Sequence, residues 1–304
     1  INKYYMQSAK HLIRGSKAKI IGITGSYGKT SVKNILHTLL SVKYKTLKTP
    51  ESYNTPMGIC KVIRGDLKPD YDFFIVEMGA RRVGEIKELC DLVEPEIGII
   101  TAIGPQHLET FGSLKNISET KYELLKSLPD NGTAILNCDD SICVDMVNKR
   151  RFQNIFLFST DFDKKKIPQK EEISYTFVEA KNISTDSNGS GFILKYGRSE
   201  VDIKSPLLGR QNIHNILAAT AVALHYEVTL EEIKTAIKDI KPIPHRLQLI
   251  KNPNGIIIID DAFNSNPVGA KMALDVLGKF KGGKKILVTP GLVELGEIEY
   301  EENK

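Results

Sequence analysis

No apolar run in the 304-residue chain approaches the roughly eighteen residues needed to span a bilayer, and nothing at the amino end resembles a signal peptide. Cysteine is scarce: the four are Cys60, Cys90, Cys138 and Cys143. Cys138 and Cys143 are five apart, which fits neither a CxxC zinc site nor a redox pair, so the four read as buried free thiols in a reducing cytosol. An excess of one charge is also missing. The net charge is only +5, and the lysines are scattered instead of bunched with aromatics, which argues against a nucleic-acid partner. The mild basic balance suits phosphorylated substrates. There is no internal repeat and no low-complexity tract. Hydrophobic residues make up 41% of the chain, ample for packed cores, and its length suggests two domains. The chain starts at Ile1 and stops at Glu301-Glu302-Asn303-Lys304, just after a strand and turn, as expected of a piece of something longer.

The strongest positive feature is Gly22-Ile23-Thr24-Gly25-Ser26-Tyr27-Gly28-Lys29-Thr30-Ser31-Val32-Lys33, directly after Ile20-Ile21. The order is strand, glycine turn, helix start. Gly25 and Gly28 allow a tight turn that aims N–H groups at an anion, Lys29 supplies a point charge, and the Thr30 hydroxyl can bind Mg²⁺. Val32, Ile35, Leu36, Leu39 and Leu40 share one helical face. The general P-loop pattern places a glycine five residues before Gly28, where this chain has Ile23.

Residues 3–14 read as a short helix. Strands are predicted at Phe73–Glu77, Ile97–Ile103, Thr133–Asn137 and Ile155–Ser159, with a helix over Ile117–Leu128. Near-continuous apolar strands alternating with helices predict an α/β fold with a mostly parallel sheet covered on both faces. Asp161–Lys170 reads as an exposed loop. Ile173–Val178, Gly191–Tyr196 and Val201–Ile203 read as antiparallel strands added at a sheet edge, with a turn at Asp186–Gly189. Helices follow at Asn212–Tyr226 and Leu230–Ile240. Pro242 and Pro244 mark a boundary, beyond which Ile256–Asp260, Pro267–Phe280 and Lys285–Thr289 read as strand, helix and strand. The expected division is a lead-in helix over 1–18, a nucleotide-binding domain over 19–243, and the truncated start of a Rossmann-like α/β domain over 244–304.

Ligands of open α/β sheets sit outside the carboxyl ends of the strands. Glu77 ends one such strand, followed by Met78-Gly79-Ala80, and His107 follows another through Gly104-Pro105-Gln106. Glu77 suits Mg²⁺ or its water, or is a solvated strand-end charge. His107 suits a second metal or a carboxylate partner, or is a loop cap. Asn116 with Glu119 marks a helix start, and there Ile117, Lys121, Leu124 and Leu128 fall on one stripe. Lys121 therefore points where apolar residues point. Burial would leave a neutral amine that can take up CO₂ as a carbamate, an oxygen ligand for Mg²⁺. The other reading is a snorkelling lysine with its ammonium in water, and periodicity alone favours that one. Asn212 is a candidate N-cap, Asn215 lies one turn in where it could face a base or ribose, Arg246 could reach a phosphate, and the Asp260-Asp261 pair could take ribose hydroxyls. From the residues alone, ordinary capping and surface charge are the favoured readings of these four sites.

Taken together, the motifs resemble the Mur ligase family, ATP-dependent amide-forming enzymes of peptidoglycan precursor synthesis. The resemblance covers most of the chain. It rests on Thr24 through Thr30, Glu77-Met78-Gly79-Ala80, His107-Leu108-Glu109-Thr110-Phe111-Gly112-Ser113, Lys121 through Glu123, Asn137-Cys138-Asp139-Asp140, Asn212 through Asn215, His245-Arg246-Leu247, Asp260 through Pro267, and Glu294-Leu295-Gly296. The Glu77, His107 and Asp260 segments look most like the branch that joins D-alanyl-D-alanine to a UDP-N-acetylmuramoyl-tripeptide. The resemblance implies ATP bound by Thr24, Gly25, Ser26, Gly28, Lys29, Thr30 and Ser31, with Asn215 on the adenine side, Arg246 on a phosphate and Asp261 on the ribose. It implies Mg²⁺ held by Thr30 and Glu77, and a second metal by His107 and a carbamylated Lys121, which overturns snorkelling. Lys29, Lys121 and His107 would be the catalytic set, and Asn54 and Thr55 would face substrate. Departures are Gln211 where the family often has histidine, and the lack of the domain that grips the UDP end.

The reaction so implied passes the ATP γ-phosphate to a substrate carboxylate, after which an amine attacks the acyl phosphate. The implied partners are a UDP-sugar peptide and a dipeptide or amino acid, in the cytoplasm. Membrane association through a preceding segment is compatible with a start at Ile1. The alternatives are a relative with another substrate (folate polyglutamylation, polyglutamate capsule or another Mur step) and a nucleotide-binding module without turnover. The sequence does not set the oligomeric state.

Overall fold

A computed structural model describes residues 2–51, 53–149, 152–163, 174–263 and 266–304. Helix α1 (Asn2–Arg14) precedes β1 (Lys19–Thr24). The chain then runs through α2 (Lys29–Leu40), β2 (Thr46–Lys48), α3 (Pro56–Gly65), β3 (Phe73–Glu77), α4 (Glu85–Val93), β4 (Ile97–Ile100), α5 (Leu108–Phe111), α6 (Leu114–Ser127), β5 (Thr133–Asn137), α7 (Ser141–Val147) and β6 (Asn154–Ser159). There follow β7 (Tyr175–Asp186), β8 (Gly189–Tyr196), β9 (Ser199–Ser205), α8 (Gly209–His225), α9 (Leu230–Lys238), β10 (Gln248–Lys251), β11 (Ile257–Asp260), α10 (Pro267–Lys279) and α11 (Glu299–Glu302).

Nine strands form one sheet in the order β2-β3-β1-β4-β5-β6-β7-β8-β9. Pairing is parallel from β2 to β7, and antiparallel between β7, β8 and β9. The expected edge addition is thus the β7–β9 meander. Alternation along each central strand sends Ile21, Ile23, Phe73, Ile75, Ile97, Ile99 and Ile135 to one face, against α2, α8 and α9. Ile20, Phe74 and Val76 go to the other, against α1, α3 and α4. Ala134 and Leu136 join α6 and α7 there. Both faces being covered, the strands carry apolar residues at nearly every position. The chain passes from β1 to β3 on one side and to β4 on the other, so the topological switch lies at the carboxyl end of β1.

Several expectations need correction. β4 stops at Ile100, three residues early. Helix α6 starts earlier than the Asn116 reading: Ser113 is its N-cap, accepting from Asn116 N at 3.1 Å. Helix α8 begins at Gly209, so Asn212 is no cap; its amide donates to Leu208 O at 2.9 Å. Lys285–Thr289 forms no strand: Ile286, Leu287 and Val288 are exposed, Val288 at 92%. An extended apolar segment becomes a strand only when a neighbour pairs its N–H and C=O groups, and none does among the described residues. Instead β11 pairs antiparallel with β10, a strand the sequence reading did not mark. Residues 164–170 of the expected loop, and Ile173, lie outside the described residues, as do Ser52, Asn264 and Ser265.

No described helix is long and apolar enough to cross a membrane. Cys60, Cys90, Cys138 and Cys143 are buried and free.

Candidate active site

The glycine turn is built by local backbone need. Gly25 has φ 147° and Gly28 φ 86°, in the region that favours glycine. A Cβ on Gly25 would lie 2.1 Å from Thr101 Oγ1, and one on Gly28 2.5 Å from Asn215 Oδ1. The turn is fastened to the end of β4: Ser26 N donates to Ala102 O at 2.8 Å, Ser26 Oγ to Gly104 O at 2.9 Å, and Thr101 Oγ1 to Tyr27 O. Thr24 is fully buried, its hydroxyl donating to Met78 O at 3.1 Å beyond β3. The side chains of Thr24 and Ser26 and the Ser26 N–H thus fasten and shape the turn.

A cavity of about 360 Å³ opens over this turn, lined by Ser26, Gly28, Lys29, Thr30, Asn54, Thr55, Glu77, His107 and Arg246 among others. Lys29 Nζ folds back on its own turn, donating to Gly25 O at 2.7 Å and Ser26 O at 3.1 Å. Burial, opposed by Glu77, brings its pKa down to about 8. Glu77 is 2% exposed. Burial pushes its carboxyl up, but the charge and hydrogen bond of Lys33, with Lys29 and Asn54, hold it below the usual carboxylate range. Asn54 Nδ2 donates to Glu77 Oε1 at 3.2 Å, and Thr55 caps α3 through Gly58 N.

His107 sits at the start of α5 with φ 54°, its Nδ1 paired with the Glu294 carboxylate. Burial lowers its pKa and Glu294 opposes that. Lys121 is 3% exposed. Burial, reinforced by Lys29, brings it down to about 7. Its Nζ lies 5.7 Å from the Phe111 ring centroid. Snorkelling is thereby excluded, yet Lys121 stands outside the lining of the cavity.

A smaller recess of about 30 Å³ adjoins, lined by Gly28, Ser31, Asn212, Asn215, Arg246, Asp261 and Phe263 among others. Arg246 borders both spaces, stacked on Phe263 and donating to Thr30 Oγ1 at 3.3 Å. Burial pushes the Asp261 carboxyl up to about 6, although it accepts from Leu247 N at 2.9 Å. Of the expected residues, Ser26, Gly28, Lys29, Thr30, Ser31, Asn54, Thr55, Glu77, His107, Asn215, Arg246 and Asp261 line the two spaces; Thr24, Gly25 and Lys121 do not. Sequence reasoning missed Lys33, the buried partner of Glu77. The spacing of Lys33, Leu36 and Leu40 carried the same signal that singled out Lys121.

Sheet order, switch point and glycine turn define an α/β core of the P-loop type. The chain belongs to the Mur ligase family: residues 23–223 match the Mur ligase middle domain. It is 33% identical over 279 residues to the UDP-N-acetylmuramoyl-tripeptide--D-alanyl-D-alanine ligase of Escherichia coli (strain K12), covering 92% of this chain and 59% of that protein. The ligase of the same name from Bacillus subtilis (strain 168) is 30% identical over 294 residues, covering 96% and 60%. The chain thus spans about 60% of the length of these curated relatives. Among solved structures it is similar to the MurF ligase of Thermotoga maritima in complex with ADP, with TM-score 0.86 and 26% identity over 99% of this chain and 66% of that one. MurF from Acinetobacter baumannii gives TM-score 0.86 and 27% identity over 99% and 63%.

Proposed function

We propose that this chain is the nucleotide-binding core of a cytoplasmic ATP-dependent ligase that joins D-alanyl-D-alanine to UDP-N-acetylmuramoyl-tripeptide in peptidoglycan precursor synthesis. The observation that carries the reading is the Gly25–Thr30 turn facing Glu77 across one cavity, in a chain whose relatives bear that ligase name. The T. maritima neighbour with ADP supports nucleotide in this cleft.

In this reading, backbone N–H groups of the turn and Lys29 hold the phosphates, and Arg246 stabilises charge on them. Asn215 and Asp261 hold the nucleoside side. A carboxylate oxygen of the tripeptide attacks the ATP γ-phosphorus, breaking the bond to the ADP oxygen and giving an acyl phosphate. The dipeptide amine then attacks the acyl carbon, loses a proton, and inorganic phosphate departs. Asn54 and Thr55 present the cleft edge to the acyl substrate.

Thr30 and Glu77 offer hard oxygen donors of the kind Mg²⁺ takes, and no group of three His, Cys, Asp or Glu converges among the described residues. That fits a cation bound mainly by phosphate and water with one or two protein ligands. Bound there, Mg²⁺ would neutralise charge on the transferring phosphoryl group. His107 and a carbamylated Lys121 would serve a second cation; the near-neutral pKa of Lys121 supports a reactive amine. We read residues 19–243 as the nucleotide-binding domain, 1–18 as a lead-in helix and 244–304 as the start of a second α/β domain. The separate β10–β11 sheet supports that division.

Phosphate release from ATP, measured over a panel of UDP-sugar peptides and amino-acid or dipeptide acceptors with the gene product that contains this chain, tests the reading. Release is expected only when UDP-N-acetylmuramoyl-tripeptide and D-alanyl-D-alanine are both present, and not in Lys29→Ala. Release with a different pair would transfer the chain to another ligase step, and ADP binding without release to a non-catalytic role.

A further inference from the structure

Lys33 follows Lys29 by one turn of α2, and its side chain is 1% exposed. A buried ammonium is costly unless paired. This one has two partners on two other elements: Nζ donates to Glu77 Oε2 at 2.8 Å and to Glu51 O. The Glu77 side chain is enclosed as well, and its second oxygen, Oε1, accepts from Asn54 Nδ2. The loop leading to Asn54 needs an anchor, because Glu51 holds φ 37°, a left-handed conformation that non-glycine residues rarely adopt. Lys33 therefore ties the phosphate-turn helix, the tip of β3 and the start of the loop carrying Asn54 to one nitrogen.

Stability alone does not account for such a pair. Apolar side chains of similar volume usually replace a buried ion pair without loss. What an apolar pair would not supply is an oriented carboxylate. Glu77 and Asn54 line the cleft and Lys33 does not, so the lysine holds one oxygen from beneath and leaves the other to the cleft side. Lys29 and Lys33 divide the helix between them, since Lys29 Nζ ends on the carbonyls of the turn.

We propose that Lys33 is a positioning residue, which fixes the Glu77 carboxylate with Oε1 toward the cleft for the divalent cation that accompanies a nucleotide there. This rests on the reading of the cleft as a Mg²⁺-nucleotide site.

Calorimetric titration of ADP into the chain, once with excess Mg²⁺ and once with EDTA, tests it. Lys33→Met is expected to cut the Mg²⁺-linked gain in affinity about 10- to 100-fold, as losing a partner that orients a metal ligand does. Metal-free affinity should stay close to that of the unaltered chain, and Lys33→Met should have no further effect on the gain in a Glu77→Gln background. Equal losses in both media, or an unchanged gain, would overturn the proposal. A crystal structure of the unaltered chain with ADP and Mg²⁺ decides the matter even if Lys33→Met does not fold. Nζ is expected to keep its bond to Glu77 there, and a lysine withdrawn from Glu77 would overturn the proposal. Absence of any Mg²⁺-linked ADP binding by the unaltered chain would instead refute the functional reading, and the proposal with it.

Discussion

Arg246 donates from Nη2 to Thr30 Oγ1 at 3.3 Å, across 216 positions of sequence, while its guanidinium lies 4.6 Å from the Phe263 ring centroid. The arginine thus reaches the glycine turn from the far side of the proline pair, at the border between the larger cavity and the smaller recess. Burial works against its charge, and Glu77 and Asp261 support it. Replacement by lysine keeps a cation but loses the planar fork and the stacking. Arg246→Lys is expected to weaken ADP binding about tenfold or more, the scale of a lost charge-assisted hydrogen bond. Calorimetry checks it, and unchanged affinity would remove Arg246 from the phosphate site.

Gly28 is a position where the turn tolerates little change. Alanine there must hold φ 86°, which costs about 1–2 kcal/mol for an L residue, and its Cβ would lie 2.5 Å from Asn215 Oδ1. Gly84 is the matched control: φ is 92°, and nothing lies within 4 Å of a Cβ. Both Gly28→Ala and Gly84→Ala should lower the melting temperature by a few degrees. Only Gly28→Ala should also lose ADP affinity, because it alone displaces Asn215 and the anion-facing backbone. Equal affinity losses in the two variants would sink the claim that the turn binds phosphate.

The elements read correctly from sequence were those whose burial dictated composition. Phe73–Glu77 and Thr133–Asn137 stand at the predicted bounds because strands covered on both faces are nearly continuously apolar and each ends on a polar residue, Glu77 at the cleft and Asn137 hydrogen-bonded to Thr101 O. Spacing with Ile117, Leu124 and Leu128 puts Lys121 on the apolar stripe, but periodicity alone favours snorkelling, and only the family resemblance points to the buried amine that the structure has. Lys33 had equivalent spacing, but its partner Glu77 is 44 positions away, and that pairing exists only once β3 lies beside β1. The same holds for His107 and Glu294, 187 positions apart. Local apolarity misled at Lys285–Thr289, since it reports preference for burial and not the presence of a neighbouring strand. Thr55-Pro56 is a readable helix start that the substrate reading of Asn54 and Thr55 passes over.

Lys121 makes the sharpest prediction about pH. Burial brings its pKa from the ordinary 10.5 to about 7, with Lys29 adding repulsion and Glu123 and Glu85 opposing. The unfolded chain therefore binds more protons than the folded one between those values, so stability rises with pH across that window. The burden of the buried charge is full below the lower value and gone above the upper one. Lys121→Met removes it. In CO₂-depleted buffer the variant is expected to be more stable than the unaltered chain at pH 7, by on the order of several kcal/mol, at 1.36 kcal/mol per unit of pKa displacement. Urea unfolding at successive pH values should show that margin shrinking toward pH 10. A margin independent of pH would mean the ammonium is solvated. The amine left neutral near pH 7 is also the form that takes up CO₂, so ¹³C-bicarbonate should give a carbamate resonance that Lys121→Met lacks. In Lys121→Ala, phosphate release should be lost and partly regained with a short-chain carboxylic acid, which returns an oxygen anion to the emptied space. A carbamate signal without such rescue would place the modification outside the chemistry.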